Sequence, residues 1–204
     1  MPTLTVMTAP QAPKAHKQVT LDARSLRGLA HPLRIRLLGS LRRDGPATAS
    51  QLGVRLGESS GATSYHLRQL AAHGFVEDAP ERGKGRERWW QAAHQGTSFD
   101  DALLRDADPT VRGAAQLYLH EVASLYIEAL STWVGTRHEW PEEWIAASDM
   151  SDFLLHLTPE RTAELKDRLH EVIEGYRESA SGKDDPRAAP VRIQTQLIPT
   201  RPTD

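Results

Sequence analysis

The 204-residue chain has no cysteine, which excludes disulfides and thiolate metal sites alike. No apolar run approaches the roughly 20 residues that a membrane-spanning helix needs. The first residues, Met1-Pro-Thr-Leu-Thr-Val-Met-Thr-Ala-Pro10, lack a basic start followed by an apolar block, so they make a poor secretory leader. The expectation is a cytoplasmic protein without a membrane partner. Signs of catalysis are also missing: there is no P-loop, no Gly-rich dinucleotide turn and no Ser-His-Asp order. His170-Glu-Val-Ile-Glu174 has the start of a zinc-protease helix but carries Glu174 where the second histidine belongs. The other histidines that precede a glutamate, His120 and His138, lie on separate segments, as a solvated helix face would place them. A histidine-only metal site between subunits is the remaining metal alternative. The chain is therefore read as a non-enzyme, with no catalytic residue, metal or cofactor assigned.

The formal net charge of −2 conceals an uneven distribution. Residues 1–92 carry 14 Lys+Arg and 7 Asp+Glu, a balance of +7. Residues 93–204 carry the other 11 basic and 20 acidic groups, a balance of −9. A basic half attracts a polyanion through phosphate contacts and counterion release, and an acidic half is repelled by it. The two halves are thus expected to meet different partners.

Residues 1–20 hold three prolines and no helical or strand period, so a disordered arm is expected there. From Leu21 the spacing turns helical, with Leu21, Leu26 and Leu29 on one face. Pro32 suits the first turn of a second helix whose apolar face is Leu33, Leu37, Leu38 and Leu41, stopping at Asp44-Gly45-Pro46. A third short helix follows, Thr48-Ala-Ser-Gln-Leu-Gly-Val-Arg-Leu56, capped by Thr48 or Ser50 and expected to turn Leu52, Val54 and Leu56 inward. A small-polar turn, Gly57-Glu-Ser-Ser-Gly61, leads to a fourth helix, Ala62-Thr-Ser-Tyr-His-Leu-Arg-Gln-Leu-Ala-Ala-His73, capped by Ser59 or Ser60. Gly74 then suits a left-handed closing residue. Phe75-Val76 and Arg88-Trp-Trp-Gln91 are strand candidates around the basic loop Pro80-Glu-Arg-Gly-Lys-Gly-Arg86. Two short helices joined by a tight turn can seat the second in a DNA major groove, and a basic hairpin beside it can reach the neighbouring backbone.

A linker is expected over 92–97 and a short helix over 98–105. The longest helical pattern, from Pro109 to about Arg137, carries a broad apolar stripe. At 1.5 Å per residue it spans roughly 40 Å, more than one small domain needs to cover itself, so part of it should meet a partner subunit. An aromatic turn holds Trp140 and Trp144. A further helix from Pro159 to about Ser179 turns Leu165, Leu169, Ile173 and Tyr176 inward. Phe153-Leu-Leu-His-Leu157 and Val191-Arg-Ile-Gln-Thr-Gln-Leu-Ile198 read as strands that could pair in a small sheet. The domain plan is an arm over 1–20, a helix-turn-helix with a wing over 21–92, and a dimerisation or effector region over 98–199. The fold class is mainly α with small β elements.

Leu29-Ala-His-Pro-Leu-Arg-Ile-Arg-Leu-Leu38 and Ala62-Thr-Ser-Tyr-His-Leu-Arg-Gln-Leu-Ala-Ala-His-Gly-Phe-Val76 resemble the ArsR-like winged-helix regulators of bacteria. The first fits that family's pattern A-x-P-x-R-x-x-I/L-L. The second fits S-x-H-L-x-x-L-x-x-x-G-L/F-V, the recognition helix and its exit into the wing. The resemblance covers about residues 20–92. It implies a homodimeric DNA-binding transcriptional regulator, usually a repressor that a metal or small-molecule effector releases. The family's cysteine-based metal sensing does not transfer to a cysteine-free chain. An aromatic cavity built from Tyr118, Trp133, Trp140, Trp144 and Phe153 could take a small apolar effector, although such residues also suit core or dimer interface.

The resemblance places Ser60, Thr63, Ser64, Tyr65, His66 and Arg68 on the recognition helix, where hydroxyl, imidazole and guanidinium groups can reach base edges or phosphates. Gln51 begins the preceding helix, next to backbone N–H groups that can approach a phosphate. Arg82, Lys84 and Arg86 alternate with glycines in the wing and suit a groove of enhanced negative potential. Double-stranded DNA and a second copy of the chain are the expected partners. The alternative is a winged-helix protein-interaction module without specific DNA binding.

Overall fold

A computed structural model describes residues 18–79, 87–179 and 185–200. The chain is mainly helical with small sheets, and its described residues divide into two compact units, one over 18–134 and the other from Gly135. The first unit opens with β1 (Gln18–Thr20) and helix α1 (Ala23–Leu29), which starts at a reciprocal cap. The Asp22 carboxylate accepts from the Ser25 N–H at 2.6 Å, and the Ser25 hydroxyl accepts from the Asp22 N–H at 2.9 Å. Helix α2 (Pro32–Asp44) is capped by His31, whose Nδ1 accepts from the Leu33 N–H at 3.1 Å. That bond puts the neutral ring's proton on Nε2. The expected apolar face of α2 is buried as Leu33, Leu37, Leu38 and Leu41, with Ile35 added.

Strand β2 (Ala47–Thr48) leads directly into α3 (Ala49–Leu56), followed by α4 (Ser60–Ala72). The α3 cap is Thr48 with Gln51: the Thr48 Oγ1 accepts from the Gln51 N–H, and the Gln51 Oε1 accepts from the Thr48 N–H. Ser59 caps α4 through the Ala62 N–H at 3.2 Å. Gly57 closes α3 at φ +71°, and Gly74 follows α4 at φ +74°; both lie in the left-handed region that glycine enters without steric cost. Val54, expected to turn inward, is 86% exposed. Helical spacing accounts for this: Leu52 and Leu56 are four residues apart and share a face, whereas Val54 lies between them, about 200° away from Leu52.

The wing is three-stranded at its base. β4 (Trp89–Ala92) pairs antiparallel with β3 (Val76–Asp78) on one side and β2 on the other, with Ala47 opposite Trp90 and Glu77 opposite Gln91. Trp90 and Phe75 are buried beneath it, and Trp89 is half-buried. Residues 18–20, expected in the arm, form instead a parallel pair with β5 (Gly96–Ser98), which occupies the expected linker. Arg42 holds that segment from α2, donating from Nε to the His94 carbonyl at 2.9 Å and from a terminal nitrogen to the Thr97 hydroxyl at 2.8 Å. A 3-10 turn over Asp101–Arg105 precedes α5 (Pro109–Thr136). The first turns of α5 bury Val111, Ala115 and Tyr118 in the same core, and the Tyr118 ring stacks on Phe99 with centroids 5.6 Å apart. Phe99, Leu103 and the first turns of α5 therefore pack with the helix-turn-helix, and this compact unit runs on past the 92–98 junction to Val134.

The second unit holds a 3-10 turn at Arg137–Glu139, α6 (Glu142–Ala147) and α7 (Pro159–Ser179). Trp140 and Trp144 meet edge to face at 6.0 Å. None of its described residues is buried. Of the α7 residues expected inward, Leu165 and Ile173 are half-buried, Leu169 is 37% exposed and Tyr176 is 75% exposed. The strands expected at 153–157 and 191–198 are not formed. Both segments run without helix, turn, bend or ladder pairing, with Phe153 80% and Ile198 77% exposed. An alternating sequence forms a strand only when a second edge accepts its backbone hydrogen bonds, and no described segment of the chain supplies that edge.

Candidate nucleic-acid interface

Three inward side chains fix the orientation of α4: Thr63, Leu67 and Leu70, all fully buried. With that face in the core, α4 turns Ser60, Tyr65 and Arg68 outward, exposed, while Ser64 is half-buried at the edge of the same face. Tyr65 is 53% exposed, which settles its side of the helix. Thr63 departs from the expected reading face. Its hydroxyl donates to the Ser59 carbonyl at 2.9 Å, which satisfies it internally and lets its methyl pack in the core.

His66 is also turned away from the outward face. Its ring lies 4.3 Å, centroid to centroid, from His31 at the start of α2, and 5.1 Å from the Tyr65 ring. Burial lowers its pKa, the nearby His31 and Arg34 lower it further, and Glu58 opposes them. Its Nδ1 and the Arg34 Nε are both buried without a hydrogen-bond partner among the described residues. The imidazole is therefore neutral at pH 7 and suited to holding α4 against α2, rather than to meeting a phosphate as a cation.

The turn between α3 and α4 is drawn tight at Gly53. A Cβ there would stand 2.7 Å from the Glu58 carbonyl oxygen, so the close approach of the two helices depends on its absence. Gln51 is exposed on α3, with its side-chain carbonyl committed to the Thr48 cap. Val54 and Arg55 lie on the same outward side, and Arg55 reaches Asp44 at 3.9 Å. Sequence reasoning missed Val54 as a surface group, although the four-residue spacing of Leu52 and Leu56 marks it.

The wing's basic tip, Arg82, Lys84 and Arg86, lies outside the described residues. Its base is held firmly. Arg88 pairs with Asp78 across β3 and β4, with a terminal nitrogen 3.0 Å from Oδ2, and its guanidinium lies 3.9 Å from the centroid of the Trp90 ring. The Asp78 carboxyl is held below the usual range by its hydrogen bond from Arg88. Gln91 donates to Glu77 beside them at 2.9 Å.

Residues 29–79 match the family model of a helix-turn-helix domain. The match covers α2, α3, α4 and β3, the elements that present the outward face just described. No curated protein matches the chain. Among solved structures the chain is similar to a homodimeric winged helix-turn-helix DNA-binding domain from Mycobacterium bovis, described as a possible ArsR-family transcriptional regulator. The identity is 18% and the TM-score 0.32, with 59% of this chain and 86% of that chain covered. It is also similar to a transcriptional regulator from Thermotoga maritima at 13% identity and a TM-score of 0.31, covering 78% of this chain and 84% of that one. The helix-turn-helix unit contains no group of three or more metal-ligating side chains among its described residues, and no described helix is long and apolar enough to cross a membrane.

Proposed function

We propose that the chain is a sequence-specific, double-stranded DNA-binding transcriptional regulator of ArsR-like type, acting as a homodimeric repressor on an inverted-repeat operator. The observation that carries this reading is the orientation of α4. Thr63, Leu67 and Leu70 are locked in the core, and Ser60, Ser64, Tyr65 and Arg68 are left on the side away from it. A helix held this way can lie in a major groove with its polar groups at the base edges. The excess of cations over residues 1–92 supports the reading, because phosphate contacts supply the sequence-independent part of affinity.

Self-association is supported by α5. Only its first turns enter the core; beyond them Ile127 is 66%, Leu130 44% and Val134 58% exposed, an apolar stripe along the helix that the described residues leave open. Two copies joined there would carry two α4 helices, and a two-fold dimer reads two half-sites about one DNA turn, roughly 34 Å, apart. The test is fluorescence anisotropy with a random-sequence duplex between about 50 and 200 mM salt. Binding that weakens steeply with salt is expected. Binding that is absent, or indifferent to salt, would leave the helix-turn-helix as a protein-interaction module.

A further inference from the structure

Two half-buried arginines of α2, Arg34 and Arg42, are treated differently by the fold. Arg42, near the end of the helix, is satisfied within the protein, donating to the His94 carbonyl and the Thr97 hydroxyl. Arg34, in the first turn, is not. Among the described residues its guanidinium makes one hydrogen bond, from a terminal nitrogen to the Ala30 carbonyl at 3.3 Å, and no ion pair. Its Nε is buried with no partner there. Other arginines of this unit rest on carboxylates: Arg27 on Asp108 at 3.2 Å, and Arg43 and Arg55 on Asp44 at 3.0 and 3.9 Å. Glu58, whose charge acts on His66, makes no such pair with Arg34. A guanidinium offers five N–H donors, and drawing a cation out of water without an anion is costly. Burial accordingly pulls the Arg34 pKa down, and the nearby Tyr65 opposes it.

The place of Arg34 in the fold indicates what the missing anion is. Its charge acts on the His66 imidazole, and it in turn feels Tyr65, so the guanidinium lies beside α4 where α2 packs on it. Tyr65 belongs to the outward face of α4 with Ser60 and Arg68. A helix seated in a major groove has base edges ahead of it and a sugar-phosphate backbone along each flank. A cation beside that face, on another helix, is placed for a phosphate rather than a base. His66, neutral at pH 7, does not supply this charge, and on the α3 side Arg55 is drawn to Asp44.

We propose that Arg34 is a phosphate-contacting residue: with α4 in the groove, its guanidinium donates to a backbone phosphate oxygen of the DNA beside that helix. This inference rests on the DNA-binding reading above and adds a contact from α2, outside the recognition helix and the wing. The phosphate supplies the anion that the folded chain leaves out, and a charge-assisted hydrogen bond of this kind is among the strong ones. Such a contact carries no sequence information; it fixes the register of α4 while Arg68 and its neighbours face the bases.

Anisotropy titrations of the full chain with a random-sequence duplex between about 50 and 200 mM salt read the contact. Arg34→Gln removes the charge and keeps a donor for the Ala30 carbonyl. Arg34→Met removes the charge and keeps an apolar stem, and Arg34→Lys keeps the charge. Circular dichroism confirms the helices of each variant. The slope of log affinity against log salt should fall by ~0.9 in the uncharged variants, narrowing the affinity lost across that range by about 3.5-fold. Arg34→Lys should keep the wild-type slope. The proposal is overturned if the folded uncharged variants keep that slope, whatever their affinity, or if lysine fails to restore it. Arg34 would then support α4 without touching DNA. Wild-type protein without salt-dependent binding would instead remove the DNA-binding reading itself, and this contact with it.

Discussion

The imidazole of His66 on α4 lies against that of His31, the residue that caps α2, with ring centroids 4.3 Å apart. The contact ties the candidate recognition helix to the first helix of the matched domain. Burial, with His31 and Arg34 behind it, lowers the His66 pKa below its ordinary value of 6.5. The folded protein therefore binds its proton less readily than the unfolded chain does. Stability from this group is present above about pH 6.5, the ordinary histidine pKa, and is lost as pH falls through the lowered folded value. Thermal melts should show Tm falling between neutral pH and pH 5, with a shallower fall in His66→Asn. An equal fall in wild type and variant would remove His66 from that role.

Arg68 is the outward cation on α4 and the residue best placed to read a guanine. Arg68→Ala should cost about 1–3 kcal/mol on the operator and relax discrimination at one base pair. Anisotropy titrations against singly substituted operators check this. An equal loss on every sequence would make Arg68 a phosphate-binding residue only.

The wing makes a different prediction. Replacing Lys84 and Arg86 by Ala should weaken binding to all sequences. It should also reduce the slope of log affinity against log salt by about two, at ~0.9 for each phosphate that is no longer neutralised. An unchanged slope would take the wing tip out of the interface.

Gly53 sits where α3 passes the turn into α4, with a substituent's position 2.7 Å from the Glu58 carbonyl oxygen. Gly53→Ala should destabilise the domain by about 1–3 kcal/mol, the usual cost of overpacking, measured by chemical denaturation. A variant as stable as wild type would mean that the turn relaxes freely. The backbone oxygen at this point leaves little room for that.

Much of the first unit is legible in the sequence because spacing and caps agree there. Leu33, Leu37, Leu38 and Leu41 are four leucines at helical intervals ahead of a Gly-Pro stop, and Thr48 and Ser59 are caps of ordinary chemistry. α5 and α7 are legible at their starts because proline after a polar residue marks a first turn. Thr63 is harder to place because a threonine's side of a helix is set by its neighbours: once Leu67 and Leu70 enter the core, Thr63 follows. β1 and β5 are three residues each, too short for a period to show, and they form through pairing across nearly eighty residues of chain. Residues 153–157 and 191–198 mark the opposite limit: strand-favouring side chains are legible there, but a ladder forms only where a second edge accepts the backbone hydrogen bonds, and composition does not state whether that edge exists.

Selection of bound sequences from a random duplex pool at near-physiological salt tests the DNA-binding reading most directly. The outward face of α4, doubled by a dimer, predicts recovery of one inverted repeat with half-sites about one helical turn apart. Recovery of no sequence above background, from protein shown to be folded and dimeric, would contradict it.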